Sequence, residues 1–318
     1  MENFYSKFYR VVWYLNNVCN LDCDYCIDRI GGGRSGEKII NDLIPDDKLK
    51  VAFRNLLSFG FDSYKFKIYG GETTLYPDLP RFLDLLFSEF GGRCSTLKFS
   101  TNGLARDIDY FRNFFHYPKD SFLFQLTIHL EYFSPGCQIE KIIDLFLENN
   151  VNVQVNILFD TRRREMLDYI LKKYKPYSKL SHCQVIPFIL YSDSPSEKFL
   201  LNYTSAEIEE FQNLINELKP VDPFRHKIDD FERLVKNKNP QGDFSGYQFC
   251  VSGQQGIIIN SEGKMIPPCS KVKYKANEPI WDLSESDFRR QATIITKCEK
   301  IKECQKSTAI YLKGKRSS

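Results

Sequence analysis

Residues 13 to 26 read WYLNNVCNLDCDYC and place three cysteines, Cys19, Cys23 and Cys26, directly after an apolar segment. The apolar part is typical of a buried strand, so the cysteines occupy the loop that follows it. Their close spacing allows one short loop to direct three thiolates at a single centre, as in iron–sulfur proteins. No fourth ligand is nearby in the sequence, and three ligands on a four-iron cluster leave one iron open to a small molecule.

A structural zinc site or a disulfide is the alternative interpretation of these cysteines. Zinc usually takes four ligands, arranged as two pairs of cysteines or as one such pair with two histidines. The first histidine of the chain is His116, far from the loop in sequence. The spacing therefore fits an iron–sulfur loop better than it fits zinc or a disulfide.

The triplet, with the aromatic Tyr25 directly before Cys26, resembles the signature of the radical S-adenosylmethionine superfamily. The resemblance implies that the three cysteines hold a 4Fe-4S cluster, and that the amino and carboxylate groups of S-adenosylmethionine chelate its open iron. It further implies that one electron cleaves the sulfonium and that a 5′-deoxyadenosyl radical takes hydrogen from a substrate. The expected cofactors are therefore a 4Fe-4S cluster and S-adenosylmethionine.

A second segment, Tyr69-Gly70-Gly71-Glu72-Thr73, ends the next predicted strand. Two glycines let backbone approach a ligand closely, and the glutamate offers an acceptor for an ammonium group. Such a turn is also common between a strand and a helix. The segment resembles the GGE motif of the same superfamily, which implies that Gly70, Gly71, Glu72 and Thr73 hold the amino group of S-adenosylmethionine.

Short apolar strands alternate with helical segments between residues 8 and 192, an order that predicts parallel strands joined by helices. The six predicted strands cover residues 9–15, 64–69, 97–100, 122–130, 153–159 and 184–190. We therefore predict an α/β fold in which residues 1–195 form a partial (β/α)6 TIM-like barrel. Its working face is expected at the C-terminal ends of the strands, where the cysteine loop lies.

The fourth predicted strand alternates polar and apolar residues, unlike a parallel strand that is buried on both faces. We predict that its polar residues line the barrel interior, with residues in the same phase on neighbouring strands, and form a cavity for a polar cosubstrate. The alternative is an edge strand with a solvated face. The polar residues concerned are Gln125, Thr127, His129, Glu131, Lys98, Ser100, Gln154 and Asn156.

Three of these polar positions, Ser100, His129 and Gln154, complete the predicted cosubstrate set together with Asn102. The segment Ser100-Thr101-Asn102-Gly103 resembles a superfamily segment near the ribose or carboxylate, which implies that role for Ser100 and Asn102. His129 is placed to reach adenosine or substrate, although a buried structural histidine is an equal alternative. Gln154 is assigned to the same set because it shares the interior phase.

Residues 196–245 are interpreted as a connecting helical region in which a capping box at Thr204 and Glu207 opens a helix. Residues 246–318 form the last predicted domain. It contains a predicted β-hairpin, residues 256–259 and 265–268 around a turn at 261–263, followed by helix. The domain ends in a basic tail, with seven basic and two acidic residues from position 297 onward.

The last predicted domain contains four cysteines, Cys250, Cys269, Cys298 and Cys304. This layout resembles the auxiliary-cluster domain of the SPASM and twitch branches of the superfamily. A single twitch-like cluster is the better match, because a full SPASM domain has more cysteines. The resemblance implies that these four residues ligate a second, auxiliary 4Fe-4S cluster. A zinc site built from the same four thiolates is the alternative.

Three further cysteines, Cys94, Cys137 and Cys183, belong to neither group. Most free cysteines are small buried hydrophobic residues, and this is the default interpretation for each. A cysteine that faces the cavity is instead able to donate a hydrogen atom to a substrate radical, as superfamily epimerases do. Cys137 and Cys183 are the candidates for that catalytic role.

Composition and charge restrict the class of protein. The chain has 318 residues, 42% of them hydrophobic, and 44 basic against 41 acidic side chains. A net charge of +3 is too small to indicate nucleic acid as the main partner. No apolar segment is long enough to cross a membrane and no secretion signal is recognisable, so we expect a cytoplasmic protein. Ten cysteines in that reducing compartment indicate metal or redox chemistry rather than disulfides.

Together these features predict a radical S-adenosylmethionine enzyme that abstracts hydrogen from a substrate carbon. Superfamily members with this layout commonly modify peptides by crosslinking, epimerisation or oxidation, and a peptide is the first expected substrate. A small molecule such as a sugar, amino acid or nucleotide is the second. The expected electron donor is a flavodoxin or ferredoxin. A non-catalytic iron–sulfur or zinc-binding module is the alternative of a different class.

Overall fold

Strands and helices alternate from the N-terminal region onward, in the predicted order. The computed structural model describes residues 8–23, 25–26, 41–190, 203–218, 247–250, 256–261, 263–266, 281–282, 296–297 and 311–313. The alternating elements are β1 (Phe8–Tyr14), α1 (Asp46–Leu57), β2 (Ser63–Tyr69), α2 (Leu79–Phe90), β3 (Cys94–Thr101), α3 (Ile108–Arg112), β4 (Phe122–Ile128), α4 (Gln138–Glu148), β5 (Val153–Phe159), α5 (Arg164–Tyr174), β6 (Cys183–Ile189) and α6 (Ser205–Leu218).

Six short strands follow in the C-terminal part of the chain. They are β7 (Tyr247–Cys250), β8 (Gly256–Ile259), β9 (Lys264–Ile266), β10 (Trp281–Asp282), β11 (Thr296–Lys297) and β12 (Tyr311–Lys313). Strands β8 and β9 pair antiparallel, which confirms the predicted hairpin. Strand β7 pairs with β11 and β12 in a separate three-stranded sheet.

The main sheet has nine strands in the order β10-β9-β8-β1-β2-β3-β4-β5-β6. The pairs from β1 to β6 are all parallel, and β8 pairs parallel with the other side of β1. The outer strands, β6 and β10, do not pair with each other, so the barrel is open. The predicted α/β partial barrel is confirmed, and β8 adds a seventh parallel strand to the six that were predicted.

One face of the sheet packs on the helices through aromatic side chains. Trp13 of β1 is fully buried and meets Phe53 of α1 and Phe82 of α2 edge to face, with ring centroids 5.7 and 5.3 Å apart. The Tyr64 hydroxyl donates to the carbonyl of Leu56 at 2.7 Å. Such ring pairs add stabilisation beyond the area they bury, so this layer holds the strand that precedes the cysteine loop.

The opposite face of the sheet is polar, as predicted. Lys98, Gln154 and Asn156 are at most 2% exposed and are linked by hydrogen bonds. Strand β4 lies between β3 and β5, so the alternative of an edge strand is wrong. The polar alternation in β4 therefore marks the concave interior of the barrel, the lumen face.

Helix α6 begins with the predicted capping box. The Thr204 backbone N–H donates to the Glu207 carboxylate at 2.7 Å, and the Glu207 N–H donates back to the Thr204 hydroxyl at 3.3 Å. The proposed domain boundaries near residues 195 and 245 lie outside the described residues. Within the described part of the chain, every helix is too short or too polar to cross a membrane.

Candidate functional site

A cavity of about 300 Å³ opens at the C-terminal ends of the parallel strands. It brings together most of the residues that the sequence assigned to a cosubstrate and cluster site. Those that line it are Cys19, Cys23, Cys26, Gly70, Gly71, Glu72, Thr73, Ser100, Asn102 and His129. Four chain segments separated by many residues therefore meet at one edge of the sheet, as the parallel topology requires.

The glycine turn is bonded directly to the cysteine loop. The Gly71 N–H donates to the side-chain oxygen of Asn16 at 3.1 Å, and the Asn16 amide donates to the carbonyl of Glu72 at 3.1 Å. The Glu72 N–H donates to the carbonyl of Val18 at 2.6 Å. These bonds hold the start of the loop against the turn that follows β2.

Both glycines are required by this contact. A Cβ atom on Gly70 would lie 2.4 Å from Asn16 Oδ1, and one on Gly71 would lie 2.3 Å from the carbonyl oxygen of Val18. Real Cβ atoms essentially never make contacts this short. A side chain in place of Gly71 would therefore force the loop backbone away from the turn, and one in place of Gly70 would displace the Asn16 side chain that joins the two segments. The sequence suggested close approach to a ligand. The structure shows close approach to the chain's own cysteine loop.

Glu72 is a buried carboxylate that accepts four hydrogen bonds. Oε1 accepts from the Thr74 N–H at 3.0 Å and from the hydroxyls of Thr74 and Thr101, both at 2.6 Å. Oε2 accepts from the Asn102 N–H at 2.7 Å. Burial raises the pKa of the Glu72 carboxyl. The four hydrogen bonds act in the opposite direction but do not cancel the effect of burial. No described lysine, arginine or histidine pairs with it, so an ammonium group in the cavity would supply its counter-charge.

His129 faces the cysteine loop from the end of β4. Its Nδ1 lies 3.3 Å from Cys23 Sγ and 3.0 Å from the Tyr25 hydroxyl, and the rings of His129 and Tyr25 are stacked within 9° of parallel. Burial lowers the pKa of His129 to about 4, so its ring is neutral at pH 7. Burial and the neighbouring Glu131 raise the pKa of the Cys23 thiol to about 12. Metal binding at Cys23 therefore releases a proton.

The donor set fits an iron–sulfur cluster. Three thiols of one loop, Cys19, Cys23 and Cys26, face a single cavity beside the buried Glu72 carboxylate. The described residues contain no group of three His, Cys, Asp or Glu side chains placed for one metal ion. A four-iron cluster spaces its thiolates more widely than a single ion does, because several iron atoms stand between them. The observed arrangement is therefore compatible with the larger group.

Other predicted site residues lie elsewhere. Gln154 is at the start of β5, where its side chain accepts from Lys98 and donates to Asn156, and it does not line the cavity. Cys183 is the buried first residue of β6, at the strand end away from the cavity. Cys137 precedes α4 and packs beside the core. None of these three positions contributes to the cavity wall.

The auxiliary cysteines are only partly covered by the structure. Cys250 is the last residue of β7, where its backbone pairs with Thr296 and Tyr311. Cys269, Cys298 and Cys304 lie outside the described residues. The auxiliary cluster thus stays a prediction.

Sequence reasoning missed three features of the site. Asn16 joins the cysteine loop to the glycine turn by hydrogen bonds. The sequence signal for this role was the presence of a polar residue, Asn16, at the end of an apolar strand. Thr101 bonds Glu72 from β3 and lay inside a segment that was already singled out. The apolar wall contributed by β5, β6 and the residue after β6, which includes Leu158, Phe188 and Leu190, had no sequence signal, because these residues also suit a dry core.

Solved structures provide the comparison for this chain. No protein-family model and no curated protein matches it. A structure of anSMEcpe with bound AdoMet and Cp18Cys peptide is 18% identical, covers 87% of this chain and 78% of that chain, and has a TM-score of 0.54. Identity of this size establishes a shared fold, the open parallel barrel described above.

A second similar protein is SuiB of Streptococcus suis. Its structure is 16% identical over 87% of this chain and 64% of that chain, with a TM-score of 0.55. SuiB bound to the precursor peptide SuiA is 15% identical over 86% of this chain and 63% of that chain, with a TM-score of 0.52. These structures share the fold of the present chain at low sequence identity.

The glycine contact is tested by Gly71→Ala. We expect the added Cβ to displace the loop from the turn, at a cost of about 1–3 kcal/mol in the free energy of unfolding, and to lower the iron retained after anaerobic reconstitution. Urea unfolding and iron analysis measure the two effects. Gly92→Ala is the matched control, because nothing lies within 4 Å of a Cβ at Gly92. Equal iron and equal stability in the two variants would contradict this account.

Proposed function

We propose that this protein is a radical S-adenosylmethionine enzyme, with a 4Fe-4S cluster held by Cys19, Cys23 and Cys26. The observation that carries the proposal is the meeting of the three-cysteine loop and the glycine–glutamate turn in one cavity at the C-terminal edge of the sheet. The shared fold supports it, since structures of anSMEcpe and of SuiB contain AdoMet or S-adenosylmethionine.

Cys19, Cys23 and Cys26 would hold the cluster, which would pass one electron from a flavodoxin or ferredoxin to S-adenosylmethionine and so cleave it into methionine and a 5′-deoxyadenosyl radical that takes hydrogen from a substrate carbon. The protein's own residues bind and orient the cosubstrate. Glu72 is held rigidly by Thr74, Thr101 and Asn102, so its carboxylate is preorganised to accept the ammonium group. Because these hydrogen bonds form when the protein folds, cosubstrate binding does not have to order the carboxylate.

The remaining cavity residues position the cysteine loop and exclude water. His129 contacts both Cys23 and Tyr25, so it fixes one thiolate ligand and the aromatic residue two positions later. The Asn102 amide lies 4.0 Å from Cys19 Sγ and donates to the Asn20 side chain at 2.8 Å. The apolar wall from β5 and β6 keeps water from the opposite side of the cavity, where a carbon radical would otherwise be exposed.

A peptide is the proposed substrate. A structure of anSMEcpe contains the Cp18Cys peptide, and a structure of SuiB contains its precursor peptide SuiA. The present chain shares their fold over most of its length, with TM-scores of 0.54 and 0.52. Crosslinking, epimerisation and oxidation of the peptide are the candidate reactions.

The C-terminal unit is proposed to hold a second 4Fe-4S cluster. The backbone register sets Thr296 opposite Cys250, and Cys298 comes two residues later in the sequence. Of the four proposed ligands, Cys250 therefore lies in β7, and Cys298 follows β11, the strand that pairs with β7. The reduced thiols of a cytoplasmic protein would be available for such a cluster.

The cluster ligands are tested by Cys23→Ala. We expect the variant to retain about four fewer irons per chain than the wild type and to produce no 5′-deoxyadenosine under a strong reductant. Iron analysis, electron paramagnetic resonance and chromatography measure these effects in anaerobically reconstituted protein. Cys94→Ala is the control, because Cys94 is buried at the far end of β3. Full iron content in Cys23→Ala, or a wild type that never cleaves S-adenosylmethionine with candidate peptides present, would refute the proposal.

The role of Glu72 is tested by Glu72→Gln, which preserves shape and removes the charge. Losing a charged hydrogen bond to the ammonium group should weaken S-adenosylmethionine binding by roughly tenfold or more. Isothermal titration calorimetry on cluster-loaded protein measures the dissociation constant. The exposed Glu148→Gln serves as the matched charge control. An unchanged dissociation constant in Glu72→Gln would remove Glu72 from the binding site.

The auxiliary cluster is tested by the double variant Cys250→Ala/Cys269→Ala. We expect the loss of about four irons, while the resonance signal of the N-terminal cluster remains. Metal analysis and paramagnetic resonance on the same sample separate the two sites. Loss of zinc alone, with iron unchanged, would identify the C-terminal unit as a zinc site instead.

A further inference from the structure

The segment that follows β4 contacts the cysteine loop at three points. His129 Nδ1 lies 3.3 Å from Cys23 Sγ and 3.0 Å from the Tyr25 hydroxyl. The Tyr132 hydroxyl accepts a hydrogen bond from the Asp22 backbone N–H at 3.2 Å. The end of β4 therefore holds a histidine ring directly against one of the three loop thiols.

Core packing fixes this segment. Leu130 and Phe133 are 4% and 6% exposed and belong to the hydrophobic core, on either side of the exposed Tyr132. The Tyr132 N–H donates to the carbonyl of His129 at 3.0 Å, which closes a single turn. The position of the His129 ring is therefore set by the barrel itself and does not depend on the cysteine loop alone.

The hydrogen bond between His129 and Cys23 depends on which atom carries the proton. A free Cys23 thiol can donate to Nδ1, whereas a thiolate that holds iron has no proton. A hydrogen bond between the same two atoms then requires an N–H at Nδ1. Because Cys23 is only 5% exposed, little water competes for this bond. Iron binding at Cys23 would thus make His129 a donor to the ligand sulfur.

A second acceptor is within reach of the Tyr25 hydroxyl. The Glu131 carboxylate interacts with both the Tyr25 hydroxyl and the Cys23 thiol. Its Oε1 is buried and lacks a hydrogen-bond partner of normal geometry among the described residues, and its Oε2 lies 3.7 Å from the Arg163 guanidinium. Tyr25 can therefore donate to Glu131 once His129 Nδ1 carries a proton.

These two side chains would act on a bound cluster in opposite directions. Reduction adds one negative charge to an iron–sulfur cluster, and hydrogen bonds to its sulfurs and nearby charges set its potential. An N–H donor from His129 stabilises the more negative, reduced form, whereas the Glu131 carboxylate destabilises it. Arg163 offsets the carboxylate only in part, because its side chain is 44% exposed to water.

We propose that His129 is a positioning residue that acts through Cys23 to raise the reduction potential of the N-terminal cluster, and that Glu131 lowers it. This inference rests on the proposed function, because it concerns the cluster of that same site. The step is a one-electron transfer in which a flavodoxin or ferredoxin is oxidised and the cluster is reduced, with no bond formed or broken. His129 and Glu131 together determine how readily the donor reduces the cluster.

A potentiometric titration of the anaerobically reconstituted full chain, followed by electron paramagnetic resonance, tests the role of His129. The N-terminal signal is the one that Cys23→Ala lacks. His129→Leu and His129→Asn introduce side chains of similar size, and only asparagine has an N–H donor. We expect His129→Leu to lower the ratio of reduced to oxidised cluster about tenfold at a fixed potential, a shift of about 59 mV. His129→Asn should keep the wild-type ratio.

The same titration tests Glu131→Gln, which keeps the shape of the side chain and removes its charge. We expect the ratio of reduced to oxidised cluster to rise several-fold, opposite in direction to the effect of His129→Leu. Glu148→Gln is the charge control, since Glu148 is exposed at the end of α4. His116→Leu is the histidine control, because the His116 side chain is 62% exposed and pairs with Asp84. Both controls should keep the wild-type ratio.

Three results would overturn the proposal. Equal potentials in His129→Leu and His129→Asn, or an equal loss of iron from both, would show that the N–H donor has no effect. A shift in the same direction in His129→Leu and Glu131→Gln would indicate a general disturbance of the loop. A wild-type potential in Glu131→Gln would remove the effect of the carboxylate charge.

This inference and the proposed function fail separately. Formation of 5′-deoxyadenosine by the wild type tests the enzyme class, whatever the potentials of the variants are. A cluster whose potential shifts as expected, in a protein that never cleaves S-adenosylmethionine, would reject the enzyme class alone. Cleavage by the wild type together with equal potentials in all variants would reject the roles of His129 and Glu131 alone.

Discussion

The site depends on the close approach of two backbone segments, the start of the cysteine loop and the glycine turn after β2. At Gly70 and Gly71 there is no space for a side chain, and Asn16 bonds both partners of the contact. The same contact positions Glu72, whose N–H is bonded to Val18. One backbone interface therefore sets the position of the thiol-bearing loop and of the buried carboxylate together, so that their relative geometry is a property of the fold.

Hydroxyl and amide groups from β3 complete this arrangement. Thr101 and Asn102 both donate to Glu72, which lets a carboxylate stay buried with no cation paired to it among the described residues. Burying such a carboxylate costs free energy unless it is fully hydrogen-bonded, and a cationic ligand beside it would stabilise it further.

Much of the fold was predictable because buried parallel strands have a strong local signal. The prediction for β5 matches the observed Val153–Phe159, and the other five parallel strands differ mainly at their ends. The hairpin of β8 and β9 was also found from its turn residues. Its position beside β1 was not, because pairing between segments about 245 residues apart leaves no trace in local periodicity. Gln154 and Cys183 lie near the N-terminal ends of β5 and β6, away from the cavity, and the roles assigned to them stay predictions.

The sequence by itself determined the ligand types and their spacing in the cysteine loop, the glycine–glutamate turn, and the alternation that marks a polar interior. These are local properties, set by covalent spacing along the chain and by side-chain chemistry. The tertiary structure alone decided that the glycines accommodate the chain's own loop, that Asn16 joins the two segments, and that β8 pairs with β1. Those relations arise from the register between strands, which depends on how distant segments pack and is not encoded in any one of them.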